Sequence, residues 1–209
     1  MTTIAILGAG RVGGSLARKL ASAGHDVVVG RRHPGEEAGD PSVRVTDQRT
    51  AAREAGIVIN ATPGDTSLDR LSDLRAELAG TILVDVSNAT RDAADGLPGD
   101  LVYPDGSLAE RLQRALPETR VVKTLNTMLF TVMTDPRSLS TPPTAYLSGD
   151  DDTAKDEVKG LLADLGWRPE WIEDLGDVST ARAAEALVLL VPHILRRRGF
   201  HPFAVSLAR

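Results

Sequence analysis

The chain has 209 residues, of which 42% are hydrophobic, so it is long and apolar enough for one large domain, or one domain and a small lobe, with a sizeable core. Its 24 Lys and Arg residues stand against 29 Asp and Glu residues, and the formal net charge of -5 argues against nucleic acid or an acidic membrane as a partner. Cysteine is absent, which excludes disulfides, thiol nucleophiles and cysteine-ligated metals, and with four histidines we expect no metal site.

The first ten residues, "MTTIAILGAG", contain no basic region and lead directly into a patterned segment, so we expect neither a signal peptide nor a transit peptide. The longest plainly apolar run toward the C-terminus, from Ala186 to Val191, is far shorter than the roughly 20 residues that cross a bilayer. These features predict a cytoplasmic protein without a membrane partner.

Short runs rich in Val and Ile alternate with longer amphipathic stretches along the first two thirds of the chain. The predicted strands are 3–8, 25–30, 57–62, 81–87, 120–126 and 144–150. Apolar residues at helical spacing between them are Val12, Leu16 and Leu20, and later Leu68, Leu71, Leu74 and Leu78. This alternation predicts an α/β fold with a doubly wound, mostly parallel sheet.

The chain reads as one continuous α/β unit over residues 1–127, and residues 128–209 are expected to form a small C-terminal α/β lobe against the sheet. The lobe contains one strand, a helix from about residue 152 to 165 and a long final helix from about residue 180 to 198. Pro192 is expected to kink the final helix, because proline removes a helical N–H.

The first predicted strand ends in a glycine-rich turn, "GAGRVGG", with the spacing G-x-G-x-x-G. Such a match alone is weak and is also compatible with an ordinary glycine turn, but here a strand precedes it and an amphipathic helix follows. Glycines at these positions permit a tight turn, close approach of a pyrophosphate and close packing of the helix on the strand. We therefore predict a Rossmann-type dinucleotide site formed by Gly8, Ala9, Gly10, Arg11, Val12 and Gly13.

Two arginines, Arg31 and Arg32, follow the second predicted strand, where a carboxylate often binds the ribose of NAD. Arginine offers planar bidentate donors to a 2′-phosphate, so these residues predict selection of NADP over NAD. The alternative is a solvated basic turn. His33 is a possible third donor, although a histidine in a loop is more often simply exposed.

Several segments together carry a resemblance to a known family. They are "GAGRVGGSLARKLASAGHDVVVGRR", "INATP" (59–63), "LVDVSN" (83–88) and "VVKTLNTM" (121–128). The chain resembles, over essentially its whole length, the NADPH-dependent reductases that include the NADP-linked coenzyme F420 (deazaflavin) oxidoreductases, and it is similar to the reductase domains of the metalloreductases. The resemblance implies an NADP-binding Rossmann domain over 1–127 and an acceptor site completed by 128–209.

By position, the resemblance places Thr62 and Pro63 beside the cofactor, and Asn126, Thr127 and Met128 beside the hydride acceptor. The same location follows independently, because open α/β sheets bind ligands beyond the carboxyl ends of their strands. The sequence departs from the deazaflavin enzymes in two places. Arg31 stands where they tend to have a small hydroxyl residue, and Asn126 with Thr127 stands where some have His-Thr.

We predict no catalytic side chain, because hydride transfer between a nicotinamide and a flavin-like ring depends mostly on positioning. Lys123 and His193 are the two candidates for a proton donor. For Lys123 the structural alternative is an ammonium bonded to neighbouring carbonyls. For His193 it is an exposed residue beside the apolar stripe of the last helix.

The expected function is NADPH-dependent transfer of hydride to or from a deazaflavin or flavin, with a small molecule as the partner. One alternative is a reductase of a small carbonyl or imine compound, which the short C-terminal third disfavours. Another is an NADP(H)-binding sensor without turnover. The apolar stripe of the last helix suits either the core or a second subunit, and we expect a homodimer.

Overall fold

The computed structural model describes residues 2–33 and 43–208, and the strands within them form one large sheet and one hairpin. In chain order the strands are β1 (Ile4–Leu7), β2 (Val27–Arg31), β3 (Arg44–Asp47), β4 (Ile57–Asn60), β5 (Ile82–Asp85), β6 (Thr90–Asp92), β7 (Pro98–Leu101), β8 (Arg120–Thr124), β9 (Ala145–Ser148) and β10 (Ile172–Gly176). The large sheet has the order β10-β9-β8-β5-β4-β1-β2-β3, and β6 pairs with β7 separately. All neighbours in the large sheet are parallel except β8 and β9.

Helices cover both faces of this sheet. They are α1 (Arg11–Ser22), α2 (Gln48–Glu54), α3 (Gly64–Ser72), α4 (Arg75–Leu78), α5 (Leu108–Ala115), α6 (Phe130–Thr134), α7 (Asp152–Asp164), α8 (Ala181–Ala186) and α9 (Val191–Arg198). One core lies under α1, α6 and α7, and the other under α2 to α5. Because both faces are covered, the inner strands are continuously apolar rather than alternating. The predicted doubly wound, mostly parallel α/β fold is confirmed.

The strand order reverses at β1, which has β2 on one side and β4 on the other. The chain runs outward through β2 to β3 on one side and through β4 and β5 to β8 on the other. Such a switch leaves a crevice at the carboxyl ends of the strands, where the following connections diverge. The glycine turn after β1 opens into this crevice.

The predicted strands have the right positions, and most extend one or two residues beyond the observed bounds. The second, 25–30, begins two residues early and ends one residue before Arg31, and four strands were missed. The missed strands are β3, β6, β7 and β10. β3 and β10 lie at the two edges of the large sheet, and each carries polar residues such as those of "RVTD" and "IEDLG". A strand at the edge of a sheet is less buried than a central strand, so it does not need a continuous apolar run. Without such a run, the sequence pattern does not indicate a strand.

The C-terminal part of the chain is joined to the sheet more closely than a separate lobe would be. β9 pairs with β8, and β10 pairs with β9, so the sheet continues across the predicted division at residue 127. The division into 1–127 and 128–209 stays a prediction. The final helix is not continuous α-helix either, because a 3-10 turn at Leu187–Leu190 separates α8 from α9, with Pro192 in the first turn of α9.

The helical stretch Val178–Arg198 is long and apolar enough, by length and composition alone, to cross a membrane. The apolar run Ala186 to Val191, on which the sequence-based expectation rested, is only part of this stretch. Core helices of other proteins also meet the same criterion, and Glu185 within this stretch is buried in polar contacts described below. The cytoplasmic location and the lack of a membrane partner stay predictions.

The packing at Gly13 predicts a sharp contrast between two glycines in helices. A Cβ on Gly13 would lie 1.9 Å from the carbonyl oxygen of Gly8, whereas a Cβ on the exposed Gly160 of α7 would have nothing within 4 Å. We expect Gly13→Ala to lower the free energy of unfolding by about 1–3 kcal/mol or more. Gly160→Ala should raise it by about 0.5–1 kcal/mol. Urea unfolding of both variants tests this, and equal stabilities would contradict the described contact between α1 and the turn.

Candidate active site

A large cavity of about 970 Å³ lies at the carboxyl ends of β1, β2 and β4. Its lining consists of Gly8, Ala9, Gly10, Arg11, Val12, Gly30, Arg31, Arg32, His33, Gln48, Ala61, Thr62, Pro63 and Arg70. Among these residues four are arginines and none is acidic. We call this space the larger cavity, and its lining favours an anionic ligand.

The glycine turn brings backbone N–H groups to the floor of the larger cavity. Gly8 has a φ of +108°, and a Cβ there would lie 2.5 Å from the carbonyl oxygen of Ala61, so only glycine fits without a shift. α1 then begins at Arg11 with Gly10 as its N-cap, which has no side chain to bond the free N–H groups. The first turn also contains no acidic residue. Unbonded N–H groups at the start of a helix attract phosphate, and the helix dipole adds to that attraction.

The opposite end of the larger cavity is basic. Arg31 is the last residue of β2 and is half-buried, while Arg32 and His33 are exposed. Gln48 at the start of α2 and Arg70 of α3 complete this end. No sequence pattern points to Gln48 or Arg70, because they follow β3 and β4 at no recognisable spacing.

A buried polar network holds the turn after β4 in place. Asn60, the last residue of β4, accepts hydrogen bonds through Oδ1 from the backbone N–H and the hydroxyl of Thr62, at 3.2 and 2.7 Å. Its Nδ2 donates to Asp85 Oδ1 at 2.9 Å and to Ser67 Oγ at 3.1 Å. Thr62 and Pro63 are thus fixed to the ends of two adjacent strands, with Pro63 exposed at the cavity.

Lys123 lies at the centre of a buried ion cluster directly beneath this network. Its Nζ is 2.7 Å from Asp85 Oδ2 and 3.0 Å from Glu185 Oε1, and it also donates to the carbonyl oxygen of Ser87. Burial opposes the charge on Lys123, but the carboxylates of Asp85 and Glu185 outweigh it and raise the pKa of Lys123 above its usual value of 10.5. Lys123 is also almost completely buried and does not line the larger cavity, so the described contacts give its ammonium a structural role.

Glu185 extends the ion cluster to two helices. It belongs to α8, and its carboxylate accepts the backbone N–H groups of Leu108 and Ala109 at 2.8 and 3.2 Å. These are the first residues of α5, where a carboxylate is favoured by the helix dipole. The cluster thereby joins β5, β8, α5 and α8 around one ammonium group.

The turn after β8 has an unusual backbone conformation. Leu125 has a φ of +60°, and among the described residues it is the only residue other than glycine with a positive φ. Asn126 Nδ2 donates to Asn88 Oδ1 at 2.9 Å and to the carbonyl oxygen of Ala184 at 3.0 Å, and Asn88 Nδ2 donates to the carbonyl oxygen of Asn126 at 2.8 Å. This paired arrangement holds the strained turn, which is the kind of backbone strain found at functional sites.

A second cavity of about 370 Å³, the smaller cavity, adjoins the first. Its lining consists of Arg11, Val12, Thr62, Pro63, Gly64, Val86, Ser87, Asn88, Asn126, Met128, Leu129, Phe130, Met133 and Phe200. Four of these residues, Arg11, Val12, Thr62 and Pro63, also line the larger cavity. The two spaces therefore meet at the start of α1 and the turn after β4.

The C-terminal segment supplies one wall of the smaller cavity. The segment returns along the turn after β8, where Leu129 donates to the carbonyl oxygen of Phe203 at 3.0 Å and Val205 donates to that of Thr127 at 2.9 Å. This places Phe200 at the cavity mouth with 64% of its surface exposed. The guanidinium of Arg11 lies 5.8 Å from the ring centre of Phe130 and 6.0 Å from that of Phe200.

Most of the residues predicted from sequence come together here. Of the predicted cofactor-binding residues, all line the larger cavity except Gly13, which lies beneath it against Gly8. Asn126 and Met128 line the smaller cavity, whereas Thr127 is buried between them and does not. His193 is exposed and lines neither cavity. No group of His, Asp and Glu side chains that could hold a metal ion occurs within residues 2–33 and 43–208.

Comparison with known proteins places the chain in a family. Residues 3–89 match the profile of a family described as NADP oxidoreductase, coenzyme F420-dependent. A crystal structure from Arthrobacter sp. FB24, provisionally named an F420-dependent NADP reductase, is 37% identical with a TM-score of 0.91 and covers 100% of both chains. The chain belongs to the coenzyme F420-dependent NADP oxidoreductase family. It is accordingly an NADP-dependent oxidoreductase, which disfavours the alternative of a sensor without turnover.

Two relatives show the extent of this similarity. The F420-dependent NADP reductase of Methanocaldococcus jannaschii is 29% identical over 208 residues, which is 90% of each chain. Metalloreductase STEAP3 of Rattus norvegicus is 34% identical over 191 residues, which is 89% of this chain and 36% of that protein. The chain thus spans about a third of the metalloreductase that it matches.

The buried cluster around Lys123 predicts a large loss of stability when its cation is removed. We expect Lys123→Met to lower the free energy of unfolding by about 3–5 kcal/mol, because it leaves the carboxylates of Asp85 and Glu185 buried without a cation. Lys159→Met is the matched control, since Lys159 pairs with Asp156 at the surface and its removal should cost less than about 1 kcal/mol. Denaturant unfolding measures both. Similar losses in the two variants would show that the cluster does not stabilise the fold as described.

Proposed function

We propose that the protein transfers a hydride between NADP(H) in the larger cavity and a flat, flavin-like acceptor in the smaller cavity, with coenzyme F420 or a flavin as the acceptor. The observation that carries this proposal is the shared boundary of the two cavities, formed by Arg11, Val12, Thr62 and Pro63. A nicotinamide ring at that boundary would face both spaces. Direct hydride transfer requires two rings held at close distance and no covalent intermediate with the protein.

The placement of the cofactor follows from the charges of the larger cavity. Its pyrophosphate would meet the unbonded N–H groups at the start of α1, and its 2′-phosphate would meet Arg31 and Arg32 beyond β2. The nicotinamide end then extends toward Thr62 and Pro63. NADP(H) supplies the hydride chemistry when bound, and the chain's own residues bind and orient it.

The lining of the smaller cavity favours a flavin-like acceptor over a carbonyl or imine compound. Part of this lining is an apolar surface suited to a flat ring, formed by Val86, Met128, Leu129, Phe130, Met133 and Phe200. The described residues that line this cavity include no His, Asp, Glu, Lys or Tyr, the side chains that usually donate a proton in catalysis. A carbonyl or imine reductase needs a proton donor beside the reacting atom. The name of the M. jannaschii relative further supports coenzyme F420.

Parallel assays of NADPH and NADH oxidation test this function, each with coenzyme F420, with FMN and without an added acceptor. We expect NADPH to be oxidised much faster than NADH, because Arg31 and Arg32 complement a 2′-phosphate, and only when an acceptor is present. If NADPH binds but neither acceptor is reduced, the proposed acceptor class is wrong. If NADH is used equally well, the proposed role of the two arginines is wrong.

We also propose that the protein is a homodimer. Leu189 and Leu190, in the 3-10 turn between α8 and α9, are 39% and 47% exposed, so an apolar face is available to a second copy of the chain. Sedimentation equilibrium should give about twice the chain mass of 22.2 kDa, and Leu190→Glu should reduce it to the mass of one chain. A single-chain mass for the unaltered protein would rule the dimer out.

A further inference from the structure

Arg70 is a basic residue of the larger cavity that the sequence analysis did not single out. It lies in α3 and is half-buried, and its Nη2 donates to Thr66 Oγ1, one helical turn earlier, at 3.1 Å. Its Nε is buried without a hydrogen-bond partner, and Arg70 forms no ion pair with any residue in 2–33 or 43–208. A half-buried guanidinium with only one neutral hydroxyl for a partner is incompletely satisfied, and it faces a cavity built for an anionic cofactor.

The strand order determines which part of the cofactor Arg70 can reach. β2 and β4 lie on opposite sides of β1, so Arg31 and Arg32 stand on one wall of the larger cavity, while α3, which follows β4, stands on the other. The end of α3 lies close to the start of α2. A hydrogen bond of 3.0 Å from the Arg49 guanidinium to the carbonyl oxygen of Asp73 joins the two. Arg70 lines only the larger cavity and not the smaller one. It therefore lies at the end away from the acceptor, where the adenosine half of the cofactor would be.

Only one group of the adenosine half of the cofactor can contact the wall formed by α3. The residues after β2 contact the ribose and its 2′-phosphate, so the group that faces the opposite wall is the adenine base. Adenine is flat and aromatic, and a guanidinium plane stacks well on such a ring. We propose that Arg70 stacks on the adenine of bound NADP(H), which rests on the proposed placement of the cofactor in the larger cavity.

Adenine stacking and phosphate binding can be distinguished by how their loss changes the affinities for NADPH and NADH. NADPH and NADH carry the same base, so loss of the stacking group weakens both by the same factor. Loss of a 2′-phosphate ligand weakens NADPH alone. Arg32, which is exposed at the other wall, provides the matched comparison.

Equilibrium binding of NADPH and of NADH to Arg70→Met and Arg32→Met separates these two roles. We expect Arg70→Met to weaken both cofactors equally, by about 3- to 30-fold, which corresponds to the range of cation–π contacts. Arg32→Met should weaken NADPH and leave NADH unchanged. Arg70→Lys keeps the charge without the plane, so if stacking contributes it should still weaken NADPH and NADH by the same factor, although by less than Arg70→Met does.

Reduced nicotinamide mononucleotide, which lacks the adenosine half, is the control for an indirect effect. Arg70→Met should bind it with the same affinity as the unaltered protein. A loss confined to NADPH would make Arg70 a phosphate ligand and overturn the proposal, and so would unchanged binding of both cofactors or an equal loss with the mononucleotide. If Arg32→Met and Arg70→Met both leave both affinities unchanged, the placement of NADP(H) in the larger cavity itself fails.

Discussion

The ion cluster around Lys123 is the interaction on which the rest of the site depends. One buried ammonium binds two carboxylates and a backbone carbonyl, and through them it joins two central strands to two helices. An ion pair at this depth gains little net stability over apolar packing, but breaking it is costly because the remaining charges stay buried. The cluster is therefore better understood as a device that fixes one arrangement of the strand ends. The smaller cavity is built on those ends, and the turn after β4 that lines both cavities is linked to them by the hydrogen bond from Asn60 to Asp85.

The paired asparagines show how that arrangement reaches the proposed acceptor site. Asn88 and Asn126 bind each other, and Asn126 also binds the backbone of α8 next to Glu185. The strained conformation of Leu125 lies between Asn126 and the strand that carries Lys123. Polar contacts, rather than apolar packing, thus shape the floor of an otherwise apolar cavity. For a reaction that depends on the distance between two rings, a rigid floor is the main contribution the protein can make.

The sequence predicted those parts of the site whose residue types are determined by their immediate neighbours in the chain. The glycine turn was visible because backbone geometry demands glycine at Gly8 and Gly13, and the arginines were visible because they follow a buried strand directly. The edge strands β3 and β10 were missed because they need no continuous apolar run. Glu185 and Phe200 were missed for another reason. Their contacts join segments far apart in the chain, and no spacing in a single sequence encodes such a contact.

The return of the C-terminal segment along the turn after β8 has a consequence for how the enzyme is assembled. Every described residue that lines the larger cavity comes from the first third of the chain, whereas the smaller cavity also requires Phe200, near the end of the described residues. Contacts between residues so distant in sequence form late, because closing a long loop is entropically unfavourable. During synthesis on the ribosome, the larger cavity, proposed for the cofactor, is thus specified long before the smaller cavity, proposed for the acceptor. A chain that stops before Phe200 would lack this wall of the smaller cavity, so the proposed acceptor site is completed later than the proposed cofactor site.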